Sequence, residues 1–449
     1  MRTLRLAIVG AGPAGIYAAD ILLKAEKQFD VSIDLFEQLP APYGLVRYGV
    51  APDHPRIKGI ITALREVLDS GKIRLFGNVL FGRDITLDDL KRHYNAVIFS
   101  TGAIRDSALD IPGIDLPGSY GAANFVSWFD GHPDVPRTWP LEAREVAVLG
   151  NGNVALDVAR ILAKHPDDLL PTEIPDNVYR GLKQSPVTDV HVFGRRGPAQ
   201  VKFTPLELRE LGELDDVDMI LHDEDFDYDE ASTLAIETNK QVMVINRVLN
   251  QWRTRETGTA SRRLHLHFYA NPIEVVGTDA VEALRFERTQ PDGEGGVVGT
   301  GEIREIAVQA LYRAVGYFGS PLADIPFDTP RGVIPNREGQ VIDDNDEPVH
   351  GIYATGWIKR GPVGLIGHTK SDAMETVRHV VNDQANWWTP AEPAEEAITA
   401  LLADRGVEYT NLDGWHHLDE HELALGVAEG RTRIKVVPRD EMVRVSNAR

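Results

Sequence analysis

The chain has 449 residues, 43% hydrophobic and 26% charged, and this length predicts two domains with separate cores. It has no cysteine, which excludes disulfides, cysteine-ligated iron–sulfur clusters and flavoproteins that use a redox-active dithiol. The net charge of −21 argues against a nucleic-acid or anionic-membrane partner. No apolar run is long enough to span a membrane, and no signal or transit segment is recognised, so a cytoplasmic location is expected. No metal site is predicted.

The N-terminal part of the chain has the pattern of a β-α-β unit. Leu4–Gly10 is a predicted buried strand, Pro13–Lys27 a predicted helix and Val31–Phe36 a second strand. Ala96–Ser100 is a further buried strand. A parallel sheet covered by helices is the expected result.

The turn between the first strand and the helix fits the pattern G-x-G-x-x-G with Gly10, Gly12 and Gly15. Such turns bind a pyrophosphate at the N-terminus of the following helix. The second strand ends at Glu37, and an acid at this place accepts hydrogen bonds from ribose hydroxyls and repels a 2′-phosphate. The pattern therefore predicts a site for FAD or NAD, and not for NADP.

A second β-α-β unit begins near Arg144, with strands at Val146–Leu149 and Val190–Phe193 and a helix at Val154–Lys164. Its turn reads Gly150-Asn151-Gly152-Asn153-Val154-Ala155, with alanine in the third glycine position. The strand after the helix ends at Arg195 and Arg196 instead of an acid. Guanidinium groups bind phosphate through two hydrogen bonds, so this turn predicts an NADP(H) site.

The charged residues of the middle of the chain are segregated. Ten carboxylates lie between Glu213 and Glu230, and six basic residues with one acid lie between Lys240 and Arg263. Beyond them, Ile352–Thr355 is a predicted buried strand and Thr369–Asp383 a predicted helix. The part after residue 390 is expected to be folded, with a strand at Thr432–Val437.

Five stretches of the sequence resemble ferredoxin–NADP reductases of the adrenodoxin-reductase type, especially their actinobacterial members. They are Gly10–Gly15, PYGLVRYGV (42–50), GNGNVALDVAR (150–160), GRRGPAQVKFTPLELREL (194–211) and GWIKRGPVG (356–364). The resemblance implies an α/β fold of two Rossmann-like dinucleotide-binding domains, like glutathione reductase. An FAD-binding domain (1–104 and 321–449) would contain an inserted NADP-binding domain (105–320), with the flavin ring between them.

The resemblance also implies roles for individual residues in holding FAD. Ala14, Glu37, Leu45 and Val79 match FAD contacts of the family, and Trp357 with Gly364, Leu365 and Ile366 matches its flavin-ring segment. Many proteins with two dinucleotide sites have an aspartate after the final Ala-Thr-Gly. Trp357 occupies that position here, as it does in this family.

For the second cofactor, the resemblance implies NADP contacts from Asn151–Val154, Arg195, Arg196 and Glu207, and places Gly364 near the nicotinamide. His54 and Glu210 resemble a polar pair beside the flavin. Histidine titrates near neutral pH and could relay a proton, so His54 is a candidate for catalysis or for positioning; a purely structural role is the alternative.

The implied reaction is NADPH:ferredoxin oxidoreduction, in which NADPH delivers a hydride to FAD and a ferredoxin-type iron–sulfur protein accepts single electrons. Ferredoxins are generally acidic, so a basic docking surface is expected. The segment 240–263 is the candidate, through Lys240, Arg247, Arg253 and Arg255.

Three other functions stay open on the sequence alone. A flavin-dependent monooxygenase also has two dinucleotide sites, although the GWIKRGPVG stretch argues against it. An NADPH oxidase or diaphorase that reduces quinones or oxygen is poorly separated from a ferredoxin reductase by sequence. A redox sensor without turnover is the remaining alternative.

Overall fold

A computed structural model of the chain describes residues 3–363 and 366–448, without the side chains of residues 366 and 367. The strands are β1 (Thr3–Val9), β2 (Asp30–Glu37), β3 (Ile73–Gly77), β4 (Ala96–Phe99), β5 (Arg105–Asp106), β6 (Ser119–Gly121), β7 (Glu145–Leu149), β8 (Asp189–Phe193), β9 (Val217–Leu221), β10 (Arg262–His267), β11 (Ala270–Val276), β12 (Ala283–Pro291), β13 (Val297–Ala307), β14 (Ala310–Arg313), β15 (Tyr317–Phe318), β16 (Asn336–Arg337), β17 (Gln340–Ile342) and β18 (Pro348–Ala354). The α-helices are α1 (Pro13–Lys24), α2 (Leu45–Tyr48), α3 (Pro55–Lys58), α4 (Ile60–Leu68), α5 (Leu87–His93), α6 (Ala122–Phe129), α7 (Asn153–Ala163), α8 (Asp176–Gln184), α9 (Pro205–Leu211), α10 (Glu230–Thr238), α11 (Lys240–Arg253), α12 (Trp357–Arg360), α13 (Ile366–Asn382), α14 (Glu395–Asp404), α15 (Leu412–Ala428) and α16 (Arg439–Ser446).

The chain divides into two compact units. Unit 1 comprises Met1–Arg105, Asp130–Asp134 and Tyr317–Arg449, and unit 2 comprises Asp106–Phe129 and Val135–Gly316. Unit 1 is therefore assembled from both ends of the chain.

Unit 1 is built on a seven-stranded sheet in the order β16-β17-β18-β4-β1-β2-β3. The strands from β18 to β3 are parallel, and β18 joins the sheet with Ile352 opposite Val97 of β4. The central strands are apolar on both faces because helices and connecting segments cover both faces of the sheet. On one face, α1 packs beside α13, and Leu22 and Val377 belong to the same buried core.

Unit 2 has a six-stranded sheet in the order β6-β14-β7-β8-β10-β9, whose strands are parallel. A separate antiparallel sheet, β11-β12-β13, contributes Leu284 and Phe286 to a core that also contains Leu149 and Phe193 of the parallel sheet. The predicted fold class, α/β with two Rossmann-like units, is confirmed.

The predicted elements differ from the structure mainly at their ends. Helix α1 ends at Lys24, three residues earlier than predicted, because Ala25 is already extended. Helix α13 begins at Ile366 instead of Thr369.

The predicted strand at Thr432–Val437 is wrong, since this segment joins no sheet. Its backbone is held by one acid of α15 instead. The Ile434 amide donates to the Glu422 carbonyl oxygen at 3.1 Å, and the Val436 amide donates to Glu422 Oε1 at 2.9 Å. Alternating apolar residues here reflect burial against a helix, a context that a local pattern does not contain.

Among the described residues, no helix combines the length and the apolar character that crossing a membrane requires.

Candidate functional site

The first glycine-rich turn of unit 1 depends on glycine for steric reasons. Gly10 has φ +112°, and a Cβ there would lie 2.5 Å from the Ser100 carbonyl oxygen. A Cβ at Gly15 would lie 2.1 Å from the Gly10 carbonyl oxygen. A Cβ at Gly12 would meet only the Gly44 Cα, at 3.9 Å, so this position leaves the backbone approachable.

Helix α1 begins directly after this turn with an uncapped N-terminus. Gly12 brings no capping side chain, Pro13 occupies the first turn, and that turn has no acid. The free N–H groups and the helix dipole favour an anion at this end. The geometry fits the pyrophosphate of a dinucleotide.

Glu37 ties the end of β2 to the same turn. Its Oε2 accepts a hydrogen bond from the Ala11 amide at 2.8 Å, and its Oε1 accepts one from the Leu39 amide at 3.1 Å. Burial raises the pKa of Glu37, while these backbone donors act in the opposite direction. A carboxylate has about four acceptor positions, so these backbone donors leave room for a ribose hydroxyl.

A segment with a strained backbone, which the sequence did not predict, lies against this turn. Tyr43 has φ +85°, which is rare for a bulky residue, and its amide donates to the Ala11 carbonyl oxygen at 2.8 Å. Gly44 follows with φ +49°, and a Cβ there would lie 3.2 Å from the Gly12 Cα. Strain of this kind is often retained at ligand sites. The motif PYGLVRYGV marked the segment, but no local rule predicts a positive φ at tyrosine.

The other residues predicted to hold FAD have different relations to the turn. Ala14 lies in the first turn of α1, and a Cβ at Gly356 would lie 2.7 Å from its Cβ. Val79 is buried and its amide donates to the Glu37 carbonyl oxygen at 2.9 Å. Leu45 begins α2 directly after the strained segment. Ala14, Val79 and Leu45 thus all belong to segments that pack around the turn.

Trp357 begins α12 and is half-buried, with its ring 6.2 Å from the ring of Tyr317. The backbone before it is fixed by Asp372 of α13, whose Oδ2 accepts a hydrogen bond from the Gly356 amide at 2.5 Å. Lys359 forms an ion pair of 3.0 Å with the same carboxylate. Gly364 and Leu365 lie outside the described residues, as does the side chain of Ile366.

The second glycine-rich turn, in unit 2, repeats the first. Gly150 has φ +145°, and a Cβ there would lie 2.2 Å from the Ala314 carbonyl oxygen. A Cβ at Gly152 would have no atom within 4 Å, and helix α7 begins after it with no acid in the first turn. The Asn151 Nδ2 is buried without a hydrogen-bond partner among the described residues. An unsatisfied buried donor beside an open helix N-terminus fits an anionic ligand.

Asn153 and Val154 form the first turn of α7. The Asn153 Oδ1 accepts a hydrogen bond from the Thr204 amide at 2.8 Å, which connects this turn to the start of α9. Arg195 and Arg196 follow β8, and the first is exposed and the second half-buried. Within residues 3–363 and 366–448 neither guanidinium forms an ion pair, so both remain available to a phosphate.

Glu207 and Glu210 lie on α9 and share a buried partner in unit 2. The Arg160 Nη1 is 3.6 Å from Glu207 Oε2 and 3.7 Å from Glu210 Oε2, and its Nη2 is 2.7 Å from Asp157 Oδ1. Arg160 is only 1% exposed. It lies inside the motif GNGNVALDVAR, but its role was not recognised because its partners are distant in sequence.

His54 is placed in unit 1, as the residue before α3, and is buried. Its carbonyl oxygen accepts a hydrogen bond from the Lys58 amide at 3.2 Å. Its proposed companion Glu210 belongs to unit 2.

The basic segment 240–263 divides into two groups. Lys240, Arg247 and Arg255 are exposed and have no ion pair in the described part of the chain. The other three basic side chains bind within unit 2. Arg253 lies over the ring of Phe226 at 4.8 Å, Arg262 donates to the last carbonyl oxygens of α7, and Arg263 forms two hydrogen bonds with Asp189.

Comparisons with known proteins agree with this geometry. Residues 4–188 match the family model for pyridine nucleotide-disulphide oxidoreductases. The chain is 40% identical to the NADPH-ferredoxin reductase FprA of Mycobacterium tuberculosis over 99% of both chains, and 37% identical to the mitochondrial NADPH:adrenodoxin oxidoreductase of Bos taurus over 99% of this chain and 92% of that protein. A solved structure of M. tuberculosis FprA in complex with NADPH superposes with a TM-score of 0.91 at 38% identity over all of both chains.

Proposed function

Because the chain belongs to the family of NADPH-ferredoxin reductases and NADPH:adrenodoxin oxidoreductases, we propose that it is an FAD-dependent NADPH:ferredoxin oxidoreductase. The observation that carries the proposal is a difference in charge between two otherwise equivalent turns. An acid, Glu37, ends the second strand in unit 1, whereas Arg195 and Arg196 follow the corresponding strand in unit 2. The first arrangement disfavours a 2′-phosphate and the second binds one.

Unit 1 is accordingly the proposed FAD-binding domain and unit 2 the proposed NADPH-binding domain. Bound FAD supplies the chemistry that the protein lacks, since it accepts two electrons as hydride and releases them singly. The task of the chain is to hold and orient both dinucleotides and to exclude water.

In unit 1, the turn from Gly10 to Gly15 and the open end of α1 hold the pyrophosphate of FAD. The Glu37 carboxylate accepts hydrogen bonds from the ribose hydroxyls. Ala14, Leu45 and Val79 supply apolar contacts to FAD. Trp357 is the proposed contact of the flavin ring in this unit, and the roles of Gly364, Leu365 and Ile366 stay predictions. Asp372 supports the assignment of Trp357 because it fixes the backbone at Gly356, directly before that residue.

In unit 2, the turn formed by Asn151, Gly152, Asn153 and Val154 holds the pyrophosphate of NADPH. The buried Asn151 Nδ2 provides a donor for a phosphate oxygen. Arg195 and Arg196 bind the 2′-phosphate. Glu207, which lies 3.6 Å from the Arg160 guanidinium, is a further proposed NADP contact.

His54 and Glu210 are the proposed catalytic pair at the flavin. If the imidazole moves a proton, the loss of hydride-transfer rate in His54→Ala should change with pH between about pH 6 and about pH 9. A rate that falls equally at all pH values would assign His54 to positioning only.

The proposed electron acceptor is an acidic ferredoxin-type iron–sulfur protein. Lys240, Arg247 and Arg255 are the proposed docking residues because they are exposed and carry no partner charge in the described chain. Arg253, which packs on Phe226, contributes less than the sequence suggested. A cytoplasmic location stays a prediction.

The test of the function is NADPH-driven reduction of cytochrome c with purified, FAD-loaded protein, with and without ferredoxins from the same organism. Reduction that requires a ferredoxin supports the proposal. Equal rates without ferredoxin, together with peroxide formation from oxygen, would favour an NADPH oxidase or diaphorase. Hydroxylation of a small substrate in proportion to NADPH consumed would favour a monooxygenase.

A further inference from the structure

Three histidines meet on one face of the parallel sheet in unit 2. His265 and His267 are two residues apart on β10, so both side chains project to the same face. His191 lies directly opposite His265 on the neighbouring strand β8. Each imidazole offers a ring nitrogen, and the three nitrogens lie within 4.8 Å of one another.

Carboxylates lie beside two of these rings. The His265 Nε2 lies 2.9 Å from Asp189 Oδ1. When Nε2 carries the proton and donates to this carboxylate, the Nδ1 of His265 has a lone pair for a metal ion. The His191 Nε2 lies 3.7 Å from Glu145 Oε2, and its Nδ1 faces His267 Nε2 at 3.0 Å. Histidines that bind metals usually have the other ring nitrogen on a carboxylate in this way.

The distances are close to those of a tetrahedral site. Metal–nitrogen bonds of about 2.0–2.1 Å place two ligand nitrogens about 3.3 Å apart. The 3.0 Å between His191 Nδ1 and His267 Nε2 has to open by only a few tenths of an ångström. The rings of His191 and His265 are stacked at 4.1 Å and 20°, so they must also rotate for their lone pairs to converge.

A fourth imidazole stands beside the cluster. His222 follows β9, and its ring lies 5.0 Å from that of His267. Its Nε2 is buried without a hydrogen-bond partner among the described residues. A buried imidazole nitrogen without a hydrogen bond needs an explanation, and a bound cation supplies one.

We propose that His191, His265 and His267 form a binding site for a divalent transition-metal ion, with Zn²⁺ as the preferred ion and His222 or water as the fourth ligand. Imidazole is the ligand that Zn²⁺, Ni²⁺ and Cu²⁺ share, and three histidines with one further position is an established zinc arrangement. The site connects β8 with β10. The proposal does not rest on the proposed reductase function.

No metal site was predicted from the sequence, although His265 and His267 are only two residues apart. The spacing that matters is across strands. His191 and His265 are brought together only by the parallel pairing of β8 with β10.

The experiment uses the full-length, FAD-loaded protein without an affinity tag, freed of metal with a chelator. Zn²⁺ alone is titrated against a competing chromophoric chelator near neutral pH. We expect one tightly bound Zn²⁺ per chain. Zn K-edge X-ray absorption of the loaded protein should show three or four imidazole ligands at about 2.0–2.1 Å. A spectrum that shows fewer than three imidazole ligands, with oxygen ligands in their place, would overturn the proposal. This test needs no substitution in the protein.

His265→Gln tests the assignment because the side chain of His265 is 16% exposed and its replacement leaves the core closed. We expect its affinity for Zn²⁺ to fall at least about tenfold. The matched control is His379→Gln, which removes a half-buried histidine of α13 in unit 1 and should keep the wild-type affinity. Equal losses in both variants, or none in His265→Gln, would show that Zn²⁺ binds elsewhere.

Discussion

The Ala11 amide donates a hydrogen bond of 2.8 Å to Glu37 Oε2, so the acid at the end of β2 fixes the backbone of the turn that follows β1. The same carboxylate thus has a structural role besides the predicted contact with ribose. Both roles are lost together when the acid is removed.

Glu37→Ala should weaken FAD binding. Hydrogen bonds to a charged group are worth about 1.5–3 kcal/mol each, so the dissociation constant should rise between about tenfold and about a hundredfold. Fluorescence titration of the flavin-free protein with FAD measures this change. Glu26→Gln, which alters an exposed acid after α1, is the control and should bind FAD normally. Unchanged FAD affinity in Glu37→Ala would remove the acid from the site.

The double variant Arg195→Ala, Arg196→Ala should lose most of its preference for NADPH over NADH. Loss of two guanidiniums from the 2′-phosphate should raise KM for NADPH at least about tenfold, while KM for NADH stays nearly constant. Steady-state kinetics with ferricyanide as acceptor measure both constants. Arg180→Ala, an exposed arginine of α8, is the control for removing a positive charge from unit 2. Equal increases for the two nucleotides would contradict the assignment.

Replacing Lys240, Arg247 and Arg255 with glutamate should raise KM for ferredoxin. The variant's KM for ferredoxin should also depend much less on ionic strength than that of the wild type. The NADPH–ferricyanide rate should not change, since that acceptor does not need the docking surface. Cytochrome reduction through ferredoxin at several salt concentrations gives the measurement. Arg378→Glu, on the exposed side of α13, tests whether any added negative charge has this effect.

Arg160→Leu should destabilise the protein strongly. The change leaves Asp157, Glu207 and Glu210 near one another without the buried guanidinium that now lies within 3.7 Å of each. Breaking a buried ion pair costs about 3–5 kcal/mol. Urea unfolding measures the loss, and Arg160→Lys, which keeps the charge, should lose less. Equal stability of the wild type and Arg160→Leu would mean that the carboxylates are solvated.

The sequence predicted the two glycine-rich turns well because their requirements are local. A positive φ at Gly10 and an open helix end at Gly12 follow from steric rules that need no knowledge of distant residues. The acid at Glu37 and the arginines after β8 were found in the same way, since the strand–helix–strand pattern fixes their place.

The rest of the site depends on residues far apart in the chain. Arg253 was predicted as a docking charge, but its guanidinium lies over the ring of Phe226 at 4.8 Å and 3.5 Å from Asp223 Oδ1. The strain at Tyr43 and the support of Gly356 by Asp372 also arise from tertiary packing. None of these contacts has a counterpart in local propensity or periodicity.

The pairing of β4 with β18 has a consequence for synthesis on the ribosome. Val97 pairs with Ile352, which is translated 352 − 97 = 255 residues later. At about 5–20 residues per second, β4 waits roughly 13–50 s for its neighbour. During that time its apolar edge is exposed, so nascent chains stalled after unit 2 should be bound by chaperones until the last third of the protein emerges.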